Sequence, residues 1–562
     1  MAACPVLNRG LRILALTGLA AISPSFGKFS ASGCPDVYEN QFRYVKLFGN
    51  ASDADPFLLE PVHMALDKQA NDSVDIYFVE RRGKLKYYNG ATHAMSLLAT
   101  LDVDIQGVHD DGLTGIALDP DFRKNRWLYL YYTPKAPEVF RVSRFTLAGD
   151  KLDLASEKIL LSIPMQRKSC CHTGGAMVFD AKGDLWITTG NNSPDAPSLV
   201  NESDWTLSAE ASSGNPSDLR GGVLRIHPDN SAKGYSIPAG NFGDYWAKKF
   251  ADQGNTSLAA QYADHAQVLP EIYVKGTRSN YSIAVDPYRE RLAWGEFLPP
   301  GVDEHNLVNH PTFAGYPYWG GPGDRAFAKG GSLAAPMNNS RWNKGPRQLP
   351  PAEPALHPYF TPGGGGGVTG PIYRYDGALK SKIKFPPHFD KAWFVTDFFW
   401  SGVKILGVNE AGERLNDSLD WFGVFNLENA LDMEQGPDGA LYVLNYAGRY
   451  TSTANTSFGR IEYTGSCLPA EPSLPTRIGI PGPGNPGGAE DGFVIRPGIL
   501  YVTLPGSYRL ILKDVGGREV FSAMDKGPRE FALDAILAGR QGVFLMTLES
   551  GSQIRHAQVY RF

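Results

Sequence analysis

The stretch Ser169-Cys170-Cys171-His172-Thr173-Gly174-Gly175 puts an imidazole on a loop punctuated by cysteine and glycine, directly before the strand-like run Ala176-Met177-Val178-Phe179. A histidine there has two chemistries open to it. Near neutrality an imidazole takes a proton from a substrate. Beside two cysteines it also resembles part of a metal cluster, although zinc sites space their cysteines by two to four residues. The adjacent pair reads better as a bridge between Cys170 and Cys171, a strained ring that stiffens the loop carrying His172, with two free thiols as the alternative. Three other polar runs hold groups of interest. They are Val108-His109-Asp110-Asp111, Gly276-Thr277-Arg278-Ser279-Asn280 and Leu298-Pro299-Pro300-Gly301-Val302-Asp303-Glu304.

What must position these groups is a repeated phrase: an apolar triplet, an Asp-Pro or Asp-Gly turn, then an aromatic-rich strand. It reads Ile116-Ala117-Leu118-Asp119-Pro120 with Trp127-Leu128-Tyr129-Leu130-Tyr131, and returns at Met177 to Ile187, Ile283 to Gly295 and Met433 to Val443. Weaker copies begin at Met64 and Phe389. Turn residues reverse the chain, and the β-branched and aromatic residues on either side favour strands. Copies recurring every few tens of residues imply one hairpin per blade of a β-propeller. The expected fold is therefore all-β, a six-bladed β-propeller over residues 34–467. Two long insertions interrupt it, from Tyr235 to Gln267, with a short helix from Tyr245 to Phe250, and from Pro322 to Gly367. A Pro/Gly-rich linker over 468–492 leads to alternating strands over 493–562, expected as a small C-terminal β-sandwich.

A net charge of −5 over 562 residues leaves no basic footprint for nucleic acid, so a neutral or small ligand fits better. Arg9 and Arg12 precede the apolar run Ile13 to Ile22, the layout of a signal peptide over residues 1–33. That run is too short to span a bilayer, and no later stretch qualifies as a transmembrane segment. The expectation is export, to the medium or the cell surface. In an oxidising compartment the four cysteines after the leader allow three pairings, of which Cys34 with Cys467, tying the two ends of the propeller, goes with the Cys170–Cys171 bridge.

With these segments together, the chain resembles the glucose/sorbosone dehydrogenase family. The resemblance runs through Gly112-Leu113-Thr114-Gly115 to Phe122, the turn His172-Thr173-Gly174-Gly175, Asp218-Leu219-Arg220-Gly221-Gly222, Pro270-Glu271-Ile272-Tyr273 to Arg278, and Asp303-Glu304-His305-Asn306, in that order. It implies a soluble propeller that oxidises a sugar or related polyol with pyrroloquinoline quinone (PQQ) and calcium, passing electrons to an external acceptor. It further implies His172 as general base and Arg278 as the cation beside the quinone, with Asp110, Ser279 and Asn280 as further cofactor contacts. Pro299, Asp303 and Glu304 are the implied calcium loop.

The chain departs from the family where basic residues hold the cofactor's carboxylates, since the matching positions are Trp400, Asn429 and Leu431. Arg220, Lys404 and Arg449 are the other cations at hand. Cys171 also replaces an aspartate that often precedes the base. Two rival readings follow, a non-catalytic propeller that binds a protein or glycan, as hedgehog-interacting propellers do, and a calcium-dependent lactonase-type hydrolase. The tail, from Gly506-Ser507-Tyr508-Arg509-Leu510 to Arg555–Arg561, is similar to the sorting domain of type IX secretion, which implies an export machinery of some Gram-negative bacteria as partner and places the protein at the outer surface or in the periplasm.

Overall fold

The computed structural model describes residues 28–29, 37–38, 41–465 and 493–561, with breaks that include 51–57, 106–109, 169–171, 195–202, 361–364, 408–419 and 447–455. The leader apart from residues 28–29, all the cysteines, the linker, His109, Trp400 and Arg449 lie outside the described residues. By contacts the chain divides into two units, 1–472 and 473–562.

The first unit is built from strands. Among the described residues six sheets of mainly antiparallel strands follow one another along the chain, and in each the innermost strand precedes the second and third. These inner strands are Pro61–Lys68, Leu113–Leu118, Gly174–Phe179, Ser282–Val285, Gly367–Ile372 and Ala430–Gln435. Each contacts the next, and the last contacts the first, so the sheets close into a ring. Second strands such as Val74–Glu80 are buried along their whole length, because sheets pack on both of their faces. Tight spacing at the axis requires glycine. A Cβ on Gly115 would stand 1.9 Å from the carbonyl oxygen of Gly175 on the next inner strand.

The ring is closed by its own N-terminus. Phe42–Gly49 pairs antiparallel with Ser457–Tyr463 and supplies the outer strand of the last sheet. Arg43, at the start of that strand, ion-pairs with the buried Glu462 at 2.7 Å.

The repeated phrase falls on the two innermost strands of each sheet, as with Leu113–Leu118 and Trp127–Tyr132, or Ala430–Gln435 and Leu441–Asn445. The Phe389 copy differs, since its first strand, Gly367–Ile372, lies some twenty residues earlier. The first insertion holds two helices, Phe242–Asp252 and Thr256–Ala263, in place of one short helix. Phe242, Trp246, Phe250, Leu258 and Tyr262 bury one face of the pair in the same core as the third sheet, and Asn255 caps the second helix by accepting from the Leu258 N–H. The second insertion contributes His357–Phe360, which completes the fourth sheet.

The second unit has two antiparallel sheets. Leu500, Val502 and Phe531 of one share a core with Leu510, Leu512, Met546 and Leu548 of the other.

Candidate active site

Asp110, His172 and Arg278 to Asn280 lie on connections that lead directly into inner strands of the second, third and fourth sheets. They therefore gather at one end of the ring, where the inner strands begin. The rigid strands behind them fix loops that carry chemistry.

His172 is buried and holds a left-handed backbone, φ 60°, a conformation that costs a side-chain-bearing residue energy and persists only where its surroundings enforce it. Three contacts enforce it. Its N–H donates to Asp110 Oδ2 at 2.8 Å, and its carbonyl accepts from the Asn192 N–H at 3.0 Å. Gly190 admits that carbonyl, because a Cβ there would sit 1.9 Å from it. The next residue, Thr173, is held in turn by its N–H to the Tyr281 hydroxyl at 3.0 Å.

The ring of His172 is oriented by Asn191, which sequence reasoning missed. His172 Nδ1 lies 2.8 Å from Asn191 Oδ1, an oxygen that also accepts from the Ser193 N–H. The Asn191 amide group donates from Nδ2 to Ser193 Oγ at 2.9 Å, which fixes its orientation. An acceptor opposite Nδ1 places the imidazole proton there and leaves the lone pair on Nε2, the arrangement a general base needs. The Asn191 N–H donates to the Arg278 carbonyl at 2.9 Å, so one residue positions both base and arginine. Its only sequence signal was the polar Gly190-Asn191-Asn192 that ends the strand Leu185–Thr189. Replacing Asn191 by leucine is expected to lower kcat about 10–100-fold while leaving KM nearly unchanged, since groups that orient a functional histidine typically carry effects of this size. Steady-state kinetics with a reducible dye checks it; an unchanged kcat removes Asn191 from the machinery.

Asp110 binds the backbone of His172 with one carboxylate oxygen, and the other, Oδ1, is buried with no partner among the described residues. Burial pushes its pKa up to about 6; the His172 N–H and the nearby Arg278 charge oppose the rise. Arg278 is also buried. Its Nη1 donates to the Phe297 carbonyl at 2.6 Å, and its own N–H, like that of Ser279, is taken by Glu296 Oε1 at 2.6 and 2.7 Å. Asn280 points into the scaffold, with Nδ2 donating to the Gly222 carbonyl and to Thr277 Oγ1, while its Oδ1 has no partner among the described residues. Ser279 and Asn280 thus position the arginine.

His63, on the inner strand of the first sheet, ties the ring together. Its two ring nitrogens lie 2.5 and 2.7 Å from the carbonyl oxygens of Thr114 and Tyr281, on the segments of the second and fourth sheets. The buried Asp432, from the last inner strand, accepts from the Met64 N–H at 2.8 Å on the same inner strand as His63.

Pro299, Asp303 and Glu304, the implied calcium loop, flank residues 300–301, which lie outside the described residues. Asp303 and Glu304 are neighbours on the strand Val302–Val308, so their side chains project to opposite faces of the sheet. Both Glu304 oxygens already accept, Oε1 from the Gly321 N–H at 2.5 Å and Oε2 from Asn306 Nδ2 at 3.3 Å. The Pro299 carbonyl accepts from the Val302 N–H. Among the described residues no group of three or more His, Cys, Asp or Glu side chains converges on a cation. Of the positions that lack the family's basic residues, Leu431 is buried and Asn429 donates from Nδ2 to the Phe398 carbonyl at 2.6 Å. Arg220 is buried against Asp218, at 2.7 Å, and beneath Trp205.

Comparison with known proteins agrees with this architecture. A Synechocystis protein of uncharacterized function is 23% identical over 385 residues, spanning 66% of this chain and 78% of its own. The aldose sugar dehydrogenase of Escherichia coli is 23% identical over 249 residues, 43% of this chain and 55% of its own, and human Hedgehog-interacting protein is 28% identical over 151 residues, 24% of this chain and 20% of its own. Two solved structures share the fold at a TM-score of 0.50 and 20% identity, each covering 75% of this chain and 99% of its own. One is a Thermus thermophilus protein described as a putative oxidoreductase (glucose dehydrogenase), the other the apo form of the soluble E. coli aldose sugar dehydrogenase. Residues 59–241, the stretch that supplies Asp110, His172 and Asn191, match the glucose/sorbosone dehydrogenase family that the sequence motifs had pointed to.

Proposed function

We propose that this chain is an exported, PQQ-dependent dehydrogenase of an aldose or related polyol. The observation that carries the reading is the His172–Asn191–Arg278 arrangement, a histidine with its lone pair left on Nε2 and a buried arginine whose backbone carbonyl is held by the same asparagine while its guanidinium is held by the Phe297 carbonyl. The family match over 59–241 and the likeness to the E. coli aldose sugar dehydrogenase support it.

When bound, PQQ supplies a two-electron quinone acceptor, chemistry no side chain offers. A polar cofactor suits this end of the ring, where Asp110 Oδ1 is buried with no partner among the described residues and Arg278 provides a fixed cation. His172 Nε2 takes the proton of the sugar hydroxyl as hydride leaves the same carbon. Arg278 stabilises the negative charge that builds up on the accepting side, in a site where burial strengthens the effect. Because Asp303 and Glu304 do not converge, no step is assigned to calcium.

Export rests on Arg9, Arg12 and the apolar run behind them, and a sorting role for the second unit rests on its motifs. The rival that an observation favours is a non-catalytic binding propeller, through the Hedgehog-interacting protein match and the missing cations at Asn429 and Leu431. Incubating the purified full-length chain with PQQ separates the two. The expected result is quinone absorbance retained through gel filtration and aldose-dependent dye reduction. A chain that retains no quinone at high micromolar PQQ is not this enzyme, and the binding reading replaces it.

A further inference from the structure

A pocket lies at the other end of the ring. Asp110, His172 and Arg278 stand where inner strands begin, but the pocket is formed by connections that follow the inner strands or join third strands to fourth. Ser73 follows the first inner strand, Asp438 the sixth and Leu379 to Ile383 the fifth, while Gly90 to His93 turn between the third and fourth strands of the first sheet. Inner strands of about six residues separate the two ends by about 20 Å. The pocket encloses about 550 Å³, within the ~300–1,000 Å³ range of small-molecule sites.

Its lining presents nitrogen donors that the protein leaves unused. Arg460 donates from Nε to Glu462 at 2.6 Å and from Nη1 to the Tyr442 hydroxyl at 3.2 Å, while Nη2 has no partner among the described residues. Lys380 makes no ion pair or hydrogen bond there. His93 Nδ1 is engaged by the Tyr88 hydroxyl at 2.6 Å, and Nε2 is unused. The one carboxylate in the wall, Asp438, is already satisfied by the Ala440 N–H at 3.1 Å and the Tyr442 hydroxyl at 2.9 Å, with Arg460 at 3.6 Å. Between these groups lie the hydroxyls of Ser73 and Ser381 and the apolar side chains of Leu47, Val74 and Ile383. Cationic donors suit a carboxylate, and the mixture of hydroxyl and apolar surface suits a body the size of a sugar.

We propose that this pocket, at the end of the ring opposite His172, binds a small hydroxylated organic anion of the sugar-acid class, its carboxylate held by Arg460, Lys380 and His93. The site is independent of the dehydrogenase reading, and its test reads binding, not turnover. Titration calorimetry of the full-length chain with glucuronate should show saturable binding that glucose does not reproduce. Lys380→Glu, on an exposed side chain, and His93→Gln should each weaken it at least tenfold, with circular dichroism and thermal unfolding unchanged. Absence of saturable glucuronate binding overturns the proposal, as does equal affinity in both variants. Inorganic phosphate binding as tightly as glucuronate also overturns it, since that outcome describes an anion contact without a sugar subsite.

Discussion

Replacing His172 by alanine should lower kcat for aldose oxidation by about 10²–10⁴-fold, the range for removal of a positioned general base, while PQQ affinity changes little. The argument rests on the network around the ring. Asn191 Oδ1 opposite Nδ1 leaves Nε2 as the proton acceptor, and no other imidazole among the described residues stands on the loops that hold Asp110, His172 and Arg278. Alanine also has to adopt the left-handed backbone at this position, which costs roughly 1–2 kcal/mol. A loss of activity could then reflect a shifted loop. Asparagine tolerates that conformation and carries no base, so His172→Asn separates the two effects. Both variants should lose turnover, and the asparagine variant should keep the stability and quinone affinity of the parent. Turnover within tenfold of the parent in His172→Asn excludes His172 as the base. A loss confined to the alanine variant makes the residue a scaffold element.

The repeated phrase was legible because each copy sits where local chemistry and global position agree. An Asp-Pro or Asp-Gly turn joins the two innermost strands of a sheet, and those strands must be apolar and aromatic because they are packed on both faces. Phe389 shows the limit. Its partner strand, Gly367–Ile372, lies across a connection of some twenty residues, so no short turn marks the hairpin. The closing strand Phe42–Gly49 was similarly hidden, since pairing with Ser457–Tyr463 is a contact across more than 400 residues. At the site, His172 and Arg278 could be found because their residue types announce chemistry, whereas Asn191 and Glu296 could not. An asparagine after a strand and a glutamate within one read as a turn and a solvated face until the partners they hold are known. The implied calcium loop shows the same limit. Adjacent acidic residues in a turn look like a ligand pair, but once the turn is followed by a strand the alternation of side chains sends Asp303 and Glu304 apart.

Glu296 shows how the fold supports the arginine. It stands on the strand Leu292–Phe297, directly opposite Glu304, and is 2% exposed. Burial pushes its carboxyl up to about 8, with Glu304 adding to the rise and the N–H groups of Arg278 and Ser279 opposing it. Those N–H groups explain why a carboxyl is kept there at all. They belong to a segment whose backbone leads from one sheet to the next, and Oε1 is the acceptor for both. Alanine at 296 leaves the two donors without that acceptor in a dry interior, at about 1–3 kcal/mol each, so the variant should be destabilised by about 2–6 kcal/mol in denaturant unfolding. It should also bind quinone more weakly, because Arg278 loses the anchor of its own backbone. Glutamine keeps an oxygen for both donors and carries no charge, much as the protonated carboxyl does. Glu296→Gln should therefore retain most of the stability and the quinone affinity that Glu296→Ala loses. Equal losses in the two variants would mean that the charge, and not the acceptor, is what this position supplies; unchanged stability in Glu296→Ala would show that the other bonds of the 276–280 segment, among them those to Gly221, Ser213, Asn191 and Phe297, suffice to hold it.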